Sequence, residues 1–149
     1  MEAIIKKADI LIEALPYIHA FRKKTIVIKY GGSILGEEKI RRGVLEDIVF
    51  LSFMGIRPVL IHGGGPSITE KMKQEGKKSE FFEGIRVTDS GTLKIVNEEL
   101  TKLNQLIVKE MKELKGEAIS LSGNEDIIKA KKKSGKGRKD LGFVGEIIG

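Results

Sequence analysis

Apolar residues recur along the chain at two spacings, and these spacings predict an alternation of helices and strands. Short, uninterrupted apolar runs at residues 25–30 and 58–61 are rich in β-branched residues, which is typical of parallel strands buried on both faces. Apolar residues spaced by threes and fours predict amphipathic helices. These helices are expected at residues 2–15 (ending before Pro16), 37–54, 66–75 and 90–114.

The second half of the chain contains three further apolar segments. Residues 81–88 predict a hairpin, and residues 118–121 and 142–148 each predict a strand. The order of strands and helices indicates an α/β fold with an open, mostly parallel sheet sandwiched by helices. Because the chain stops directly after a predicted strand, with no closing helix, we expect this fold to be incomplete at its C-terminus.

The composition narrows the classes of function. The 149 residues suit one domain, and the absence of cysteine excludes disulfide and thiolate–metal chemistry. The two histidines have no paired carboxylates at ligand spacing, so the sequence predicts no metal site. No apolar stretch suits a signal peptide or a membrane span, so we expect a cytoplasmic protein with no membrane partner.

Basic residues are concentrated at residues 129–139, which hold seven of the 27 Lys and Arg residues and no acidic residue. The other 20 basic residues balance 21 acidic ones, so this segment accounts for the formal charge of +6. With Gly135 and Gly137, the segment is typical of a solvated loop. No aromatic residue lies among its charges to stack on bases, which argues against a nucleic-acid partner.

Glycines follow each of the first two predicted strands: Gly31 and Gly32 after the first, and residues 63–65 after the second. Ligands bind where the carboxyl ends of parallel strands meet, and glycine N–H groups there suit a phosphate or a carboxylate. Taken alone, Gly31 and Gly32 are better explained as a turn, and Lys29 as a strand-end residue that extends to solvent. His62 is better explained as a hydrogen-bonded structural residue than as a catalytic one.

Three glycine-containing motifs occur in order along the chain: Lys29-Tyr30-Gly31-Gly32-Ser33, His62-Gly63-Gly64-Gly65-Pro66 and Gly84-Ile85-Arg86-Val87-Thr88-Asp89. Together they resemble the amino acid kinase family, and the third resembles the N-acetylglutamate kinases in particular. With later similar segments at residues 121–123 and 140–146, the resemblance covers nearly all 149 residues. It implies an αβα fold and ATP-dependent phosphorylation of the side-chain carboxylate of N-acetyl-L-glutamate, a step of arginine biosynthesis.

The resemblance also implies roles for the residues at the end of the first strand. Lys29 would be catalytic and stabilise the transferring phosphoryl group, and Gly31 and Gly32 would bind phosphate oxygens through backbone N–H groups. ATP and Mg²⁺ are implied, both bound mainly by a carboxyl-terminal half that this chain lacks. The implied nucleophile is a carboxylate that is already ionised at neutral pH, so no general base is required.

By the same resemblance, Gly64 and Gly65 would hold the acylated amino acid, and Arg86 would bind its α-carboxylate as a bidentate partner. The implied organisation is a helical extension at residues 1–20 followed by a substrate-binding lobe at residues 21–149. We therefore expect the isolated chain to be inactive. Residues 123–126 read Gly-Asn-Glu-Asp where the family usually has G-K-D-G, so this loop is expected to differ.

The N-terminal helix resembles extensions that interlace in hexameric members of the family. It is equally well explained as a helix that covers one face of the sheet. A homo-oligomer, either a dimer or a hexamer, is the implied state of the complete protein.

Two alternative functions stay open. The first is a related carboxylate kinase of the same family, and the second is a non-catalytic module that binds a ligand, or a polyanion through residues 129–139.

Overall fold

The computed structural model describes residues 2–31, 36–123, 127–134 and 139–148. In chain order its elements are α1 (Glu2–Phe21), β1 (Thr25–Tyr30), α2 (Glu38–Phe53), β2 (Arg57–His62), α3 (Gly65–Gln74), β3 (Phe81–Phe82), β4 (Ile85–Arg86), α4 (Ser90–Glu113), β5 (Ala130–Ser134) and β6 (Asp140–Ile147). The α/β fold expected from the sequence is confirmed, with the predicted hairpin formed by β3 and β4. Within the described ranges, no helix is both long and apolar enough to cross a membrane.

The first two strands form a parallel sheet. They run side by side from Thr25 opposite Arg57 to Tyr30 opposite His62, and α2 connects them. A parallel pair requires such a crossover, because the chain must return to the same end of the sheet before the second strand begins. Gly31, which follows β1, and the glycines that follow β2 therefore lie at the same edge of the sheet.

The main hydrophobic core lies between one face of this sheet and helices α2 and α4. Its buried members are Tyr30, Leu45, Ile48, Val49, Ile107 and Met111. Leu45 has none of its surface exposed, and burial of such a side chain contributes about 2 kcal/mol. A second cluster joins α3 to the first half of α4 through Ile68, Met72 and Ile95. Helix α4 therefore contributes to both clusters.

The opposite face of the sheet is exposed in the described part of the chain. Side chains alternate between the faces of a strand, and Val27, Val59 and Ile61 lie on the face away from the main core. Their exposed fractions are 61%, 37% and 53%. The prediction that both faces of these strands are buried is not met among the described residues, because α2 and α4 pack on a single face.

Helix α1 is longer than the sequence analysis predicted, since it continues through Pro16 to Phe21. Proline cannot donate a hydrogen bond to the preceding turn, which costs about 3 kcal/mol in a helix interior, but the residues after it can still do so. Residues 17–21 contain no glycine or proline. The helix ends before Lys23, whose φ is +65°. The prediction that this helix ends before Pro16 was wrong.

The strand predicted at residues 118–121 is absent from the structure, which describes all four of these residues. Ala118 packs against the main core, and the Ser120 hydroxyl donates a hydrogen bond to Asn104. Only Ala118 of this apolar segment contacts the core, whereas Ile119 and Leu121 are exposed among the described residues.

The basic segment is not a loop throughout, because Ala130–Ser134 forms β5 and pairs antiparallel with β6. Lys131 lies directly opposite Glu146, so charge attraction across the strands contributes to the pairing. The prediction of a solvated loop did not take into account the acidic residues Asp140 and Glu146, which follow the basic run in the sequence and pair with its lysines. The strand predicted at residues 142–148 is confirmed as part of β6.

An ion pair joins α2 to α4 beside the main core. Arg41 donates through Nη2 to Glu110 Oε1 at 2.7 Å and through Nε to Oε2 at 2.8 Å, and the two side chains are 10% and 14% exposed. The hydrogen bond from Arg41 holds the pKa of Glu110 below its ordinary value and raises the pKa of Arg41. The hydroxyl of Tyr30 is buried near this pair with no hydrogen-bond partner among the described residues, and burial raises its pKa.

We predict that Glu110→Gln destabilises the chain by about 2 kcal/mol at neutral pH, because the amide cannot neutralise the buried charge of Arg41. The pKa of Glu110 is lowered by folding, so the stability it provides is complete above its unfolded pKa, near 4.5. That stability is lost as the pH falls below this value and through the folded pKa. Urea denaturation of both proteins at neutral pH and at about pH 3 measures the two effects.

Glu113→Gln is the matched control. Glu113 lies one turn further along α4, its side chain is 49% exposed, and its ion pair with Lys109 spans 3.8 Å. The control is expected to change stability by less than about 0.5 kcal/mol. Equal losses in the two variants, or a loss in Glu110→Gln that persists unchanged at low pH, would contradict the assigned role of the ion pair.

Candidate functional site

The carboxyl ends of β1 and β2 meet at one edge of the sheet, where both glycine segments begin. Tyr30 ends β1, and its carbonyl oxygen accepts a hydrogen bond from Gly63 N–H at 3.3 Å. Lys29 precedes this point on β1 and Gly31 follows it, and both residues are exposed. The structure therefore places Lys29 and Gly31 at the same edge as the glycine loop, residues 63–65. Gly32 lies outside the described residues.

The glycine loop leads directly into α3. Gly65 is the first residue of the helix, and Pro66 follows in the first turn, where its missing N–H is not needed. Gly64 precedes the helix and has no side chain to cap the N–H groups of the first turn. A Cβ on Gly64 would lie 2.8 Å from Cδ2 of Leu100, so glycine permits this close packing. The loop thus presents backbone N–H groups and the positive end of a helix dipole, which suits an anion.

Arg86 reaches the same helix from the β3–β4 hairpin. The hairpin turns at Glu83 and Gly84, whose φ angles are +48° and +78°. Arg86 Nη2 lies 3.5 Å from the carbonyl oxygen of Gly65 and donates to Thr69 Oγ1 at 2.7 Å. Of the predicted site residues, Gly65 and Arg86 are therefore brought into direct contact.

The guanidinium of Arg86 has neutral partners only, among the described residues. Nη1 donates to Ser79 Oγ at 2.6 Å and lies 3.2 Å from Met72 Sδ, while Nη2 donates to Thr69. The ring of Phe81 packs on the guanidinium, with its centroid 4.6 Å from Cζ. Burial lowers the pKa of Arg86, but arginine stays charged in proteins. A half-buried cation with neutral partners favours the binding of an anionic ligand.

The hairpin that carries Arg86 is attached to β6 through Thr88. The N–H of Thr88 donates to Leu141 O at 2.9 Å, and its carbonyl oxygen accepts from Phe143 N–H at 2.7 Å. Gly142 lies between these partners with a φ of +72°, and a Cβ there would overlap the carbonyl oxygen of Thr88. Only glycine allows β6 to approach the hairpin this closely.

Two partners of Arg86 were not identified from the sequence. Thr69 and Ser79 are common polar residues, 17 and 7 positions away from Arg86 in the chain. Thr69 could have been noticed, because it lies four residues after Gly65 and therefore on the first turns of the same helix. Nothing in the sequence singles out Ser79.

His62 is hydrogen-bonded, as the sequence analysis expected. Its Nδ1 lies 3.3 Å from the carbonyl oxygen of Gly63, and its Nε2 lies 3.4 Å from Nδ2 of Asn104. Asn104 in turn accepts a hydrogen bond from the Ser120 hydroxyl at 2.5 Å. Asn104 belongs to α4 and Ser120 to the segment after it, and the sequence carries no signal for either contact.

Several lysines of the basic segment form ion pairs. Lys131 pairs with Glu146 at 3.4 Å, Lys132 with Asp140 at 3.0 Å, and Lys139 with Glu80 at 2.7 Å. Lys136 and Arg138 lie outside the described residues. Because carboxylates neutralise part of this segment, its geometry does not favour the polyanion-binding alternative.

Residues 24–144, which include the sheet, the glycine loop and Arg86, match the amino acid kinase family. The chain belongs to this family. The resemblance found in the three glycine-containing motifs is thereby confirmed.

Curated members of the amino acid kinase family that are similar to this chain are acetylglutamate kinases. The protein from Desulforamulus reducens is 46% identical over 146 residues, which are 97% of this chain and 51% of that protein. The protein from Methanocaldococcus jannaschii is 46% identical over 158 residues, covering 99% of this chain and 53% of that protein. The chain thus spans about half the length of the curated relatives it matches.

A solved structure of similar fold is N-acetylglutamate synthase from Neisseria gonorrhoeae in complex with coenzyme A and N-acetyl-glutamate. It is 27% identical to this chain with a TM-score of 0.77, and the match covers 92% of this chain and 31% of that protein. A second structure of the same synthase, with coenzyme A and L-arginine, has a TM-score of 0.68.

We predict that Gly142→Ala destabilises this amino acid kinase chain by at least about 2 kcal/mol. The added methyl group would overlap the carbonyl oxygen of Thr88 and would force alanine into a left-handed conformation. Thermal and urea denaturation measure the loss. Gly43→Ala is the matched control, because Gly43 lies inside α2 with no atom within 4 Å of the added Cβ.

The control is expected to stabilise the chain by about 0.5–1 kcal/mol, since alanine favours a helix more than glycine does. If Gly142→Ala were as stable as the wild type, β6 would not be held against Thr88 as described.

Proposed function

We propose that this chain is the substrate-binding half of a kinase that transfers the γ-phosphoryl group of ATP to the side-chain carboxylate of N-acetyl-L-glutamate, in the arginine biosynthesis of the cytoplasm. The observation that carries the proposal is the position of Arg86. Its guanidinium, with neutral partners only among the described residues, adjoins Gly65 at the amino end of α3. The acetylglutamate kinases similar to this chain supply the identity of the substrate.

Arg86 is suited to bind the α-carboxylate. Its two Nη atoms donate to the hydroxyls of Thr69 and Ser79, and a hydroxyl is a weaker acceptor than a carboxylate. A carboxylate can therefore replace these hydroxyls and form two parallel, charge-assisted hydrogen bonds. The hydroxyls hold the guanidinium in place until the ligand arrives.

The charge of the site favours an acylated amino acid over a free one. A free amino acid carries an ammonium group next to its α-carboxylate, within a few ångströms of Arg86 when bound, and the two cations would repel each other. Acetylation removes this charge and leaves an amide. The N–H groups of Gly64 and Gly65, together with the α3 dipole, further favour the negative charges of the ligand.

The transfer requires alignment and neutralisation of charge. An oxygen of the side-chain carboxylate attacks the γ-phosphorus, the bond from phosphorus to the bridging oxygen of ADP breaks, and an acyl phosphate and ADP result. We assign Lys29, Gly31 and Gly32 to the phosphoryl group, because the end of β1 lies beside the glycine loop. Among the described residues, no group of three or more His, Asp and Glu side chains could hold a metal ion.

We further propose that residues 1–20 are a helical extension, that residues 21–149 are the substrate-binding lobe, and that ATP and Mg²⁺ bind mainly to a lobe outside this chain. The chain spans about half the length of its relatives, which supports this division. The complete protein is proposed to be a homo-oligomer, a dimer or a hexamer, since α1 exposes apolar side chains that a second subunit would cover. A monomeric mass by light scattering would contradict that assembly.

We predict that the chain binds N-acetyl-L-glutamate saturably in isothermal titration calorimetry, and that Arg86→Ala weakens binding by about 10-fold to 100-fold. The loss corresponds to charge-assisted hydrogen bonds worth about 1.5–3 kcal/mol. L-Glutamate should bind more weakly because of the ammonium group. Arg42→Ala is the control, since Arg42 is an exposed arginine of α2 whose ion pair with Glu46 spans 3.7 Å.

Circular dichroism establishes that each variant is folded before titration. The absence of heat from folded wild-type chain would refute the substrate assignment. Equal affinities for N-acetyl-L-glutamate and L-glutamate would instead favour the related carboxylate kinase.

We also predict that the isolated chain, given ATP, Mg²⁺ and N-acetyl-L-glutamate, forms no acyl phosphate, because the nucleotide-binding lobe is not part of it. Trapping with hydroxylamine converts an acyl phosphate to a coloured hydroxamate and so measures turnover. Turnover by the isolated chain would contradict the proposed division into lobes, while leaving the assignment of Arg86 intact.

A further inference from the structure

A hydrogen-bond relay connects three separate elements to the glycine loop. It consists of Ser120 in the segment after α4, Asn104 in the middle of α4, and His62 at the end of β2, and it ends at the carbonyl oxygen of Gly63. The successive distances are 2.5 Å, 3.4 Å and 3.3 Å. The reaction outlined above uses none of these three side chains.

The direction of each hydrogen bond in the relay follows from the groups present. The Ser120 hydroxyl donates to Oδ1 of Asn104, so the amide nitrogen of Asn104 is the atom that faces His62 Nε2. An amide nitrogen can only donate, and Nε2 must therefore accept and carry no proton. The neutral imidazole then carries its proton on Nδ1, which donates to Gly63 O. The relay selects one tautomer of His62.

This bond to Gly63 determines where the next N–H group points. In a trans peptide the C=O and the following N–H point in opposite directions, so a Gly63 carbonyl held against His62 directs Gly64 N–H to the other side. The N–H of Gly63 is also held, by the carbonyl oxygen of Tyr30. Both peptide groups of Gly63 are thus fixed by partners outside the loop.

External partners are needed because the loop cannot orient itself. Three consecutive glycines have no side chains, and glycine adopts positive and negative φ angles with similar ease. A flip of the peptide between Gly63 and Gly64 would reverse the direction of Gly64 N–H. Such a flip would remove one donor from the anion-binding end of α3.

We propose that His62 is a positioning residue, and that Asn104 and Ser120, by fixing its tautomer, orient Gly64 N–H toward the acylated amino acid. This inference rests on the proposed function for the identity of the ligand. The state of the His62 ring is independent of that function and is measured separately.

The test uses Asn104→Asp in the complete 149-residue chain. The substitution keeps the shape of the side chain but replaces the donor that faces Nε2 with an acceptor. A neutral His62 must then carry its proton on Nε2, so its Nδ1 can no longer donate to the carbonyl oxygen of Gly63. Gln105→Glu is the matched control, because it makes the same chemical change at the next residue of α4, which is exposed. Ser120→Ala removes the first donor at an exposed position, so the variant is expected to fold.

Long-range ¹H–¹⁵N NMR spectra at about pH 8, where imidazoles are neutral, report which ring nitrogen carries the proton. The chain has two histidines, and a His62→Gln variant assigns their signals, with His19 on α1 as the internal reference. We expect the Nδ1–H tautomer for His62 in the wild type and in Gln105→Glu, and protonation of Nε2 in Asn104→Asp. In Ser120→Ala a mixture of tautomers is expected, because the amide of Asn104 is free to turn.

Calorimetry with N-acetyl-L-glutamate completes the test. Asn104→Asp is expected to bind about five-fold more weakly than the wild type, as for the loss of one hydrogen bond, and Gln105→Glu to bind equally well. An Nε2–H tautomer in the wild type would overturn the proposed relay. The expected tautomers with unchanged affinity in Asn104→Asp would overturn the positioning role alone. A wild-type chain that is folded but binds no ligand would overturn the proposed function and, with it, the positioning role.

Discussion

Helix α4 packs against the sheet and α2 through Ile107 and Met111, and against α3 through Ile95. No other helix in the described ranges contributes to both clusters, so α2 and α3 are both packed against this one helix. The first turn of α4 is fixed by Asp89, which accepts a hydrogen bond from Thr92 N–H at 2.6 Å, and this bond lowers the pKa of Asp89. Because Arg86 lies three residues before this cap, the packing of α4 also determines where Arg86 meets α3.

Two arginines illustrate how partners decide the role of a side chain. Arg41 is held by both carboxylate oxygens of Glu110 on the neighbouring helix, and this bidentate pair has a structural role. Arg86 is held instead by the hydroxyls of Thr69 and Ser79, which are neutral and weaker acceptors. Its position is therefore fixed while its charge stays available to a ligand. This difference explains why the arginine of the hairpin, rather than the one in the core, serves as a candidate binding residue.

Much of the fold follows from local patterns, and the errors arise where tertiary contacts override them. Periodicity and capping predicted α2, α3 and α4, and the two glycine segments were correctly expected at one edge of a parallel sheet. Pro16 was given too much weight as a helix terminator. The segment predicted as a strand at residues 118–121 forms no strand, and only its first residue, Ala118, packs on the core. Strand β5 depends on acidic residues that follow it by several positions.

The candidate site could be located from the sequence, but its supporting contacts could not. The glycine loop and Arg86 belong to contiguous sequence motifs, which are recognisable without the structure. Asn104 and His62 are 42 residues apart, and Arg86 and Thr69 are 17 apart, so only the folded chain brings them together. Polar residues such as these have no distinctive pattern, because their role comes from the groups they meet.

The glycine loop of the candidate site restricts how this site can change by substitution. A side chain at Gly64 would meet Leu100 at close range, and the three glycines of the loop present only backbone groups. Substitution of Gly64 therefore cannot adjust selectivity without disturbing the packing on α4. Changes in ligand preference are therefore expected at the residues that contact Arg86 or His62, such as Thr69, Ser79 and Asn104. A substitution there would alter the position of the guanidinium or of the loop backbone.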